Sequence, residues 1–437
     1  MRTTVVRDIK CISDFKECVL QWAQQFDEVV WLDNNQHKSE YSSFEGLLAV
    51  DGLTAISTDS QNAFEDLIEY QNRTNDWIFG YLSYDLKNDT ENLQSNNFDG
   101  LKFPDLYFFQ PKKIIKIYGN KVEFVYLNLV ADEIEIDFNE ICDNPQFENV
   151  KQNAATFPHI KMRIFKDEYF NRVGELLSYI HQGDVYEANF CQEFYAQDCS
   201  IDTFSVYKHL NKISEAPFST YLKLFDKFLL SASPERFIKK VGNKVISQPI
   251  KGTAARSKDL VLDNALKYEL EHDVKERSEN VMIVDLVRND LSKTALKGTV
   301  SVEELCKIYS FKQVHQMIST ITSRVKKDQN PVDIIKDCFP MGSMTGAPKI
   351  SAMEIIEKLE SFKRGLYSGA VGYFTPENDF DFNVVIRSIL YNESEKYLSY
   401  AVGSAITAKS NPQKEYEECL LKAKGMRQVL GLGVTNE

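Results

Sequence analysis

The chain has 437 residues, 43% hydrophobic and 26% charged, an ordinary globular composition with room for two or three domains, or one large composite fold, and a substantial core. Its 51 lysines and arginines against 64 aspartates and glutamates leave a net charge of −13, which argues against nucleic acid as the main partner because phosphate binding needs a basic footprint. The eight cysteines form no tight CxxC pair, so neither a metal cluster nor a disulfide framework is expected and a reducing, cytoplasmic setting fits; MRTTVVRDIKCISDF carries no secretory pattern, and no long apolar run predicts a membrane span.

In chain order, Val29–Asp33 and Trp77–Asp85 read as buried strands. Ile114–Ile117 and Lys121–Leu129, joined across Tyr118-Gly119-Asn120, predict a hairpin. The stretch 139–159 is polar and turn-rich and reads as a linker or long surface loop. The expected division is therefore an N-terminal region 1–140, a linker 141–160 and a main region 161–430. After Lys166, Phe170, Val173, Leu176, Leu177 and Ile180 recur on one helical face, and Gly183-Asp184 ends the helix. A strand over Tyr186–Tyr195, a helix near 202–214, and strands at Thr220–Phe225, Phe228–Ser231, Arg236–Val241 and Lys244–Ser247 follow. Pro249 is a poor interior strand residue, which puts Lys251 just beyond a strand end, and Gly252 permits unusual dihedrals or a close backbone approach. Further helices are predicted over 263–288, Pro348–Leu359 and Gln413–Leu430, the last after an Asn411-Pro412 start. Strands Gly369–Phe374, Asp381–Tyr391 and Tyr397–Val402 lie between the last two. The class is α+β with large mixed or antiparallel sheet content.

Several polar features ask for a role. SMTGAPK (343–349), GAVGYF (369–374) and AVGSAIT (401–407) are either ordinary turns and strands or segments offering backbone N–H groups to an anion. SMTGAPK lacks the GxxxxGK[ST] frame of a phosphate loop. Glu276 and Glu279 stand at i,i+3 on one helix, and Glu415 and Glu418 on another. These are solvated faces, with Glu418 paired to Lys422, or, if the two faces oppose, an oxygen-rich site for a hard cation such as magnesium. His315 sits in a partly apolar segment, as a packed histidine would. Arg387 lies among valines and isoleucines and needs a partner, for which a carboxylate is suited. In PIKGTAAR, Lys251 is a solvated turn charge or a nucleophile.

The ordered stretches GDVYEANF, LSASPERF, PIKGT, ERSENVMIVDLVRNDL, SMTGAPK, RGLYSGAVGYF, VVIRS and EYEECLLKA together resemble the chorismate-utilising family, which includes anthranilate synthase large subunits, aminodeoxychorismate synthase large subunits, isochorismate synthases and salicylate synthases. They cover roughly 160–430, and the N-terminal part matches more loosely. The resemblance implies an anthranilate synthase component I-like composite fold, with two large, mostly antiparallel sheets packed together and outer helices, the diverged N-terminal region contributing. It implies Mg2+ on Glu279 and Glu418, with Glu276 and Glu415 nearby. Tyr373 and Arg387 would hold the enolpyruvyl carboxylate. Thr253, Gly403, Ser404 and Ala405 would line the substrate, His315 would lie near its ring, and Glu235 would serve as a general acid/base. PIKGT is similar to the aminodeoxychorismate (para-aminobenzoate) branch, where lysine replaces a common alanine and attacks ring C2 before ammonia adds at C4. Asn280, where anthranilate synthases often carry histidine, leans the same way. Burial is expected to lower the lysine pKa and free the amine.

Some residues depart from the family pattern: Ser404 and Ala405 replace glycines and Lys409 a common aspartate, and the Ser404 side chain is expected to crowd or reshape the pocket. No GxSxG elbow or cysteine–histidine amidase module is visible, so ammonia is expected from a separate glutamine amidotransferase subunit. Anthranilate synthase component I, isochorismate synthase and a non-catalytic chorismate-binding regulatory subunit are the alternatives.

Overall fold

Apolar runs rich in valine, isoleucine, tyrosine and phenylalanine become strands throughout the chain. The computed structural model describes residues 1–37, 40–143, 158–312 and 314–431. Among them every strand-to-strand ladder is antiparallel. One sheet runs from Glu187–Ala196 through Tyr397–Thr407, Ser388–Asn392, Lys227–Ser233, Phe218–Leu224 and Glu28–Asp33 to Gly46–Thr58. The other runs from Leu106–Tyr118 through Ile78–Leu82, Ala370–Phe374, Phe380–Val384, Arg236–Val241 and Lys244–Gln248 to Val314–Arg324. The long pair Gly46–Thr58 and Leu106–Tyr118 joins the two sheets, with a register shift between Gly52 and Thr54 that lets the pair bend.

The faces follow from alternation along each strand. Val30, Leu47, Leu222, Leu229 and Leu390 from the first sheet and Phe79, Tyr81, Val371 and Tyr373 from the second form one buried cluster between the sheets. Helices Ile12–Trp22, Lys166–Gln182, Thr203–Ser214, Lys349–Leu359 and Pro412–Val429 supply apolar faces to a second cluster over the outside of the first sheet. Helices Ala63–Thr74, Val274–Ser292 and Pro331–Cys338 do the same for the other sheet. This is the α+β arrangement the resemblance implies. The N-terminal region is threaded into both sheets: Glu28–Asp33 pairs with Phe218–Leu224, and Ile78–Leu82 with Ala370–Phe374. Of the expected linker 141–160, residues 144–157 lie outside the described residues. No helix among the described residues is long and apolar enough to cross a membrane.

Three local differences from the sequence expectation matter for the site. The helix expected over 263–288 is two, Leu260–His272 and Val274–Ser292. They break at Asp273, whose side chain caps the second by accepting from Glu276 N. The strand expected over Asp381–Tyr391 is split into Phe380–Val384 and Ser388–Asn392, with Arg387 in the gap at φ +53. Pro249 separates Lys244–Gln248 from a short strand Ile250–Ala255 on the same partner, so Lys251 lies within a strand rather than beyond one.

Candidate active site

Lys251 sits on an irregularity in the Ile250–Ala255 strand: the register against Val314–Arg324 shifts between Ile250 and Thr253. Gly252 takes φ +94, and a Cβ there would lie 3.2 Å from Glu276 Oε2 and 3.3 Å from Leu270 Cδ1. Only glycine adopts that backbone and admits the helix so closely. Asn280, 1% exposed, donates through Nδ2 to the carbonyls of Lys251 and Met317, both at 3.3 Å. The bulge is thereby pinned to the Val274–Ser292 helix. The Lys251 ammonium donates to Glu187 Oε1 at 2.9 Å. The expectation for its pKa is corrected here. Burial does push it down, but the negative charges of Glu187, Glu279 and Glu235 outweigh burial, and the group ends above its ordinary value. In the free site Lys251 is an ammonium.

Glu187 begins the strand Glu187–Ala196 and is 2% exposed, with Oε2 buried and without a hydrogen-bond partner among the described residues. Glu235 lies between strands Lys227–Ser233 and Arg236–Val241 and is 3% exposed. Burial raises its carboxyl to about 7 against the opposing pull of Ser343 and Lys251. Its Oε1 accepts from Ser343 Oγ at 2.7 Å. Ser343 opens the SMTGAPK stretch, which runs from a 3-10 turn, Gly342–Met344, through a two-residue strand, Gly346–Ala347, into the Lys349–Leu359 helix. Gly346 and Ala347 pair with Ala188 and Glu187, Asn189 Nδ2 donates to the Ser343 carbonyl at 3.2 Å, and Arg364 donates to the Met344 carbonyl at 2.7 Å. Arg364 is in turn fixed by a buried ion pair with Glu360 at 2.6 Å.

The two acidic helix faces act on one lysine. Lys275 is raised above its ordinary value, against its own burial, by Glu279, Glu415, Glu276 and Glu418 together. Glu279 is pushed by burial to about 7, and its Oε1 has no hydrogen-bond partner among the described residues, with the Lys275 ammonium 3.6 Å away. Burial also raises Glu276, whereas Glu418, whose side chain is 46% exposed, is held low by Lys422 at 2.6 Å. Among the described residues no three carboxylate, histidine or cysteine side chains converge as metal ligands.

Other predicted residues fall in different places. The Arg387 guanidinium has no ion-pair or hydrogen-bond partner among the described residues; burial lowers its pKa, with Tyr367 and Glu418 as the opposing groups. Tyr373 does not join it. Its ring packs on Phe44, Trp77 and Phe79, and it lines a separate cavity of about 220 Å³ together with Arg236 and Asp381. Both ring nitrogens of His315 are engaged, Nε2 with Asp263 at 3.1 Å and Nδ1 with Ser310 Oγ at 2.9 Å, which is the packed-histidine arrangement. Thr253 is exposed. Gly403 and Ala405 pair with Cys191 and Asn189 and share the sheet face of Glu187. Ser404 points to the opposite face, beside Tyr169 and Cys419, so its side chain goes into the core beneath the helices and the expected crowding does not arise.

Sequence reasoning overlooked Glu187, Ser343 and Tyr367 as individual residues and saw Asn280 only as a replaced histidine. Glu187 had a signal: with Glu193 it is one of two carboxylates in a strand that is otherwise apolar or amide-bearing. Tyr367 lies in the quoted RGLYSGAVGYF, where the later tyrosine drew the assignment.

A family model described as chorismate binding enzyme matches residues 16–428, well beyond the 160–430 where the motifs lie. An anthranilate synthase component I-like protein of Synechocystis is 34% identical over 355 residues, 81% of this chain and 72% of that one. Aminodeoxychorismate synthase component 1 of Bacillus subtilis is 33% identical over 363 residues, 81% of this chain and 76% of that one. The crystal structure of anthranilate synthase component I from Streptococcus pneumoniae superposes with a TM-score of 0.76 at 24% identity, covering 90% of this chain and 94% of that one, a likeness of fold. With the matched span, the fold and the clustered lysine and carboxylates in agreement, the chain belongs to the chorismate binding enzyme family.

Proposed function

We propose that the chain is an aminodeoxychorismate synthase large subunit, converting chorismate and ammonia to 4-amino-4-deoxychorismate. The observation that carries the reading is Lys251, a largely but not fully buried amine aimed from a glycine bulge at Glu187, with Glu235 in range of its charge. In this reading the ammonium gives a proton to Glu187, and the neutral amine attacks ring C2. The diene shifts and the C4–O bond breaks, and Glu235, protonated below about 7, delivers the proton that releases water. Ammonia then bonds to C4, the electrons shift back, and the C2–N bond breaks to return the lysine amine. The Glu235 carboxylate takes the proton that ammonia loses, and Glu187 returns its proton to the lysine, so both acids are restored. Arg387, half-buried and without a partner for its guanidinium among the described residues, would hold the enolpyruvyl carboxylate, with Tyr367 beside it in place of Tyr373.

A divalent cation would fit the acidic faces, because Glu279 Oε1 is buried with only the Lys275 ammonium, 3.6 Å away, facing it, and four glutamates act on that one lysine. Glu279 and Glu418 would hold Mg2+, with Glu276 and Glu415 beside them. When bound, the ion supplies positive charge for the substrate ring carboxylate. Ammonia would come from a separate glutamine amidotransferase. A second reading, anthranilate synthase component I, has the support of names borne by relatives of nearly equal identity. Incubating the protein with chorismate, Mg2+ and ammonium at mildly alkaline pH separates the two. Aminodeoxychorismate from wild type, with a loss of 100-fold or more in Lys251→Ala, supports the first. Anthranilate with pyruvate, unaffected by that substitution, overturns it.

A further inference from the structure

The SMTGAPK stretch has no phosphate frame, yet its fold is over-determined. Its strand pairing to Ala188 and Glu187, the Asn189 bond to the Ser343 carbonyl and the Arg364 bond to the Met344 carbonyl all fix one short segment. Within this bracket Ser343 is the side chain that meets Glu235. It is 5% exposed, and its hydroxyl donates to a Glu235 carboxyl that is 3% exposed. We infer that Ser343 is the positioning residue for Glu235: by occupying Oε1 it leaves Oε2 as the oxygen that carries and releases the proton, and it fixes the carboxyl plane toward the substrate.

The inference rests on the general-acid role proposed for Glu235. The other groups acting on that carboxyl are Lys251 and the Ile250 backbone on the neighbouring strand and Lys422 on the C-terminal helix. Asp290 of the Val274–Ser292 helix lines the same small cavity as Glu235 and Ser343. Lys251, Lys422, the Ile250 N–H and the Ser343 hydroxyl all favour the ionised form, so removing Ser343 must move the carboxyl upward. The cost is orientation: an unheld carboxyl samples planes that do not face the leaving oxygen.

The test compares wild type with Ser343→Ala and Ser343→Thr. Glu235 protonation is followed by its infrared carboxyl band, identified by subtraction of Glu235→Gln, and ammonia-dependent product formation is measured across pH. In Ser343→Ala the carboxyl midpoint and the alkaline limb of kcat/KM are expected to rise together by about one pH unit. The rate should fall roughly 10-fold with the KM for chorismate within about twofold of wild type. Ser343→Thr, which keeps a hydroxyl, is expected to restore both. An unchanged midpoint in folded Ser343→Ala overturns the inference. Should that variant not fold, Ser343→Cys, a weaker donor of similar size, must move the midpoint in the same direction, and a fixed midpoint there overturns the inference equally. If wild type makes no aminodeoxychorismate, the functional reading fails, while the infrared comparison still decides whether Ser343 governs Glu235.

Discussion

Gly252→Ala tests how Lys251 is aimed. At φ +94 an L-residue sits outside even the left-handed well near +57°, where the cost already reaches roughly 1–2 kcal/mol. The added Cβ would meet Glu276 Oε2 at 3.2 Å, Glu276 Cβ at 3.3 Å and Leu270 Cδ1 at 3.3 Å. Each neighbour must give by a few tenths of an ångström, and all three belong to the two helices packed on the strand. A further ~1 kcal/mol for that local overpacking brings the total to about 2–3 kcal/mol. If the strand relaxes instead, the peptide rotates out of the bulge and the Lys251 side chain leaves Glu187. The expected result is a melting temperature lower by several degrees and an activity loss of 100-fold or more measured at a temperature where the variant is fully folded. Measuring both on one preparation separates the two effects. Wild-type stability together with wild-type turnover would refute the claim that positive φ and close helix approach aim the lysine.

Arg387→Met should raise the KM for chorismate 10- to 100-fold, the worth of charge-assisted hydrogen bonds to a carboxylate, and leave the melting temperature unchanged or higher, since the half-buried guanidinium has no partner among the described residues. Arg364→Met should destabilise by about 3–5 kcal/mol, because it strands the buried Glu360 carboxylate; urea unfolding reads this. Because the acid form of Glu235 is required and its carboxyl titrates at about 7, kcat/KM should fall as pH rises through that value, and Glu235→Gln should show no such limb. Glu279→Gln should weaken Mg2+ binding at least 10-fold in calorimetry without substrate, and chelation of wild type should abolish turnover.

Local pattern carried much of the fold. The Gly119-Asn120 hairpin and the Asn411-Pro412 helix start have strong turn and cap chemistry, and both stand as expected, with Asn411 accepting from Gln413 N and Lys414 N. Ser301–Ser310 and Val314–Arg324 went unread because polar residues interrupt their alternation and the first carries two register shifts. Within the site, Lys251, Glu235, Glu279 and Arg387 were legible because their motifs are ordered along the chain. Tyr367 and Ser343 were not, since their meaning lies in a partner far away in sequence. The lysine protonation state was read backwards for the same reason: burial is visible in an apolar segment, but three carboxylates converging from separate elements are a property of the fold.

The strand Ile78–Leu82 finds its neighbour in Ala370–Phe374, at the other end of the chain. During synthesis the early strand leaves the ribosome long before that partner exists, at translation speeds of about 5–20 residues per second. For that interval its apolar edge is open to any strand it meets. Folding of this protein is therefore held back until nearly the whole polypeptide has emerged, which makes its yield in a cell sensitive to chaperone supply and to premature termination. A chain stopped before residue 370 would be an aggregation seed rather than a smaller working protein.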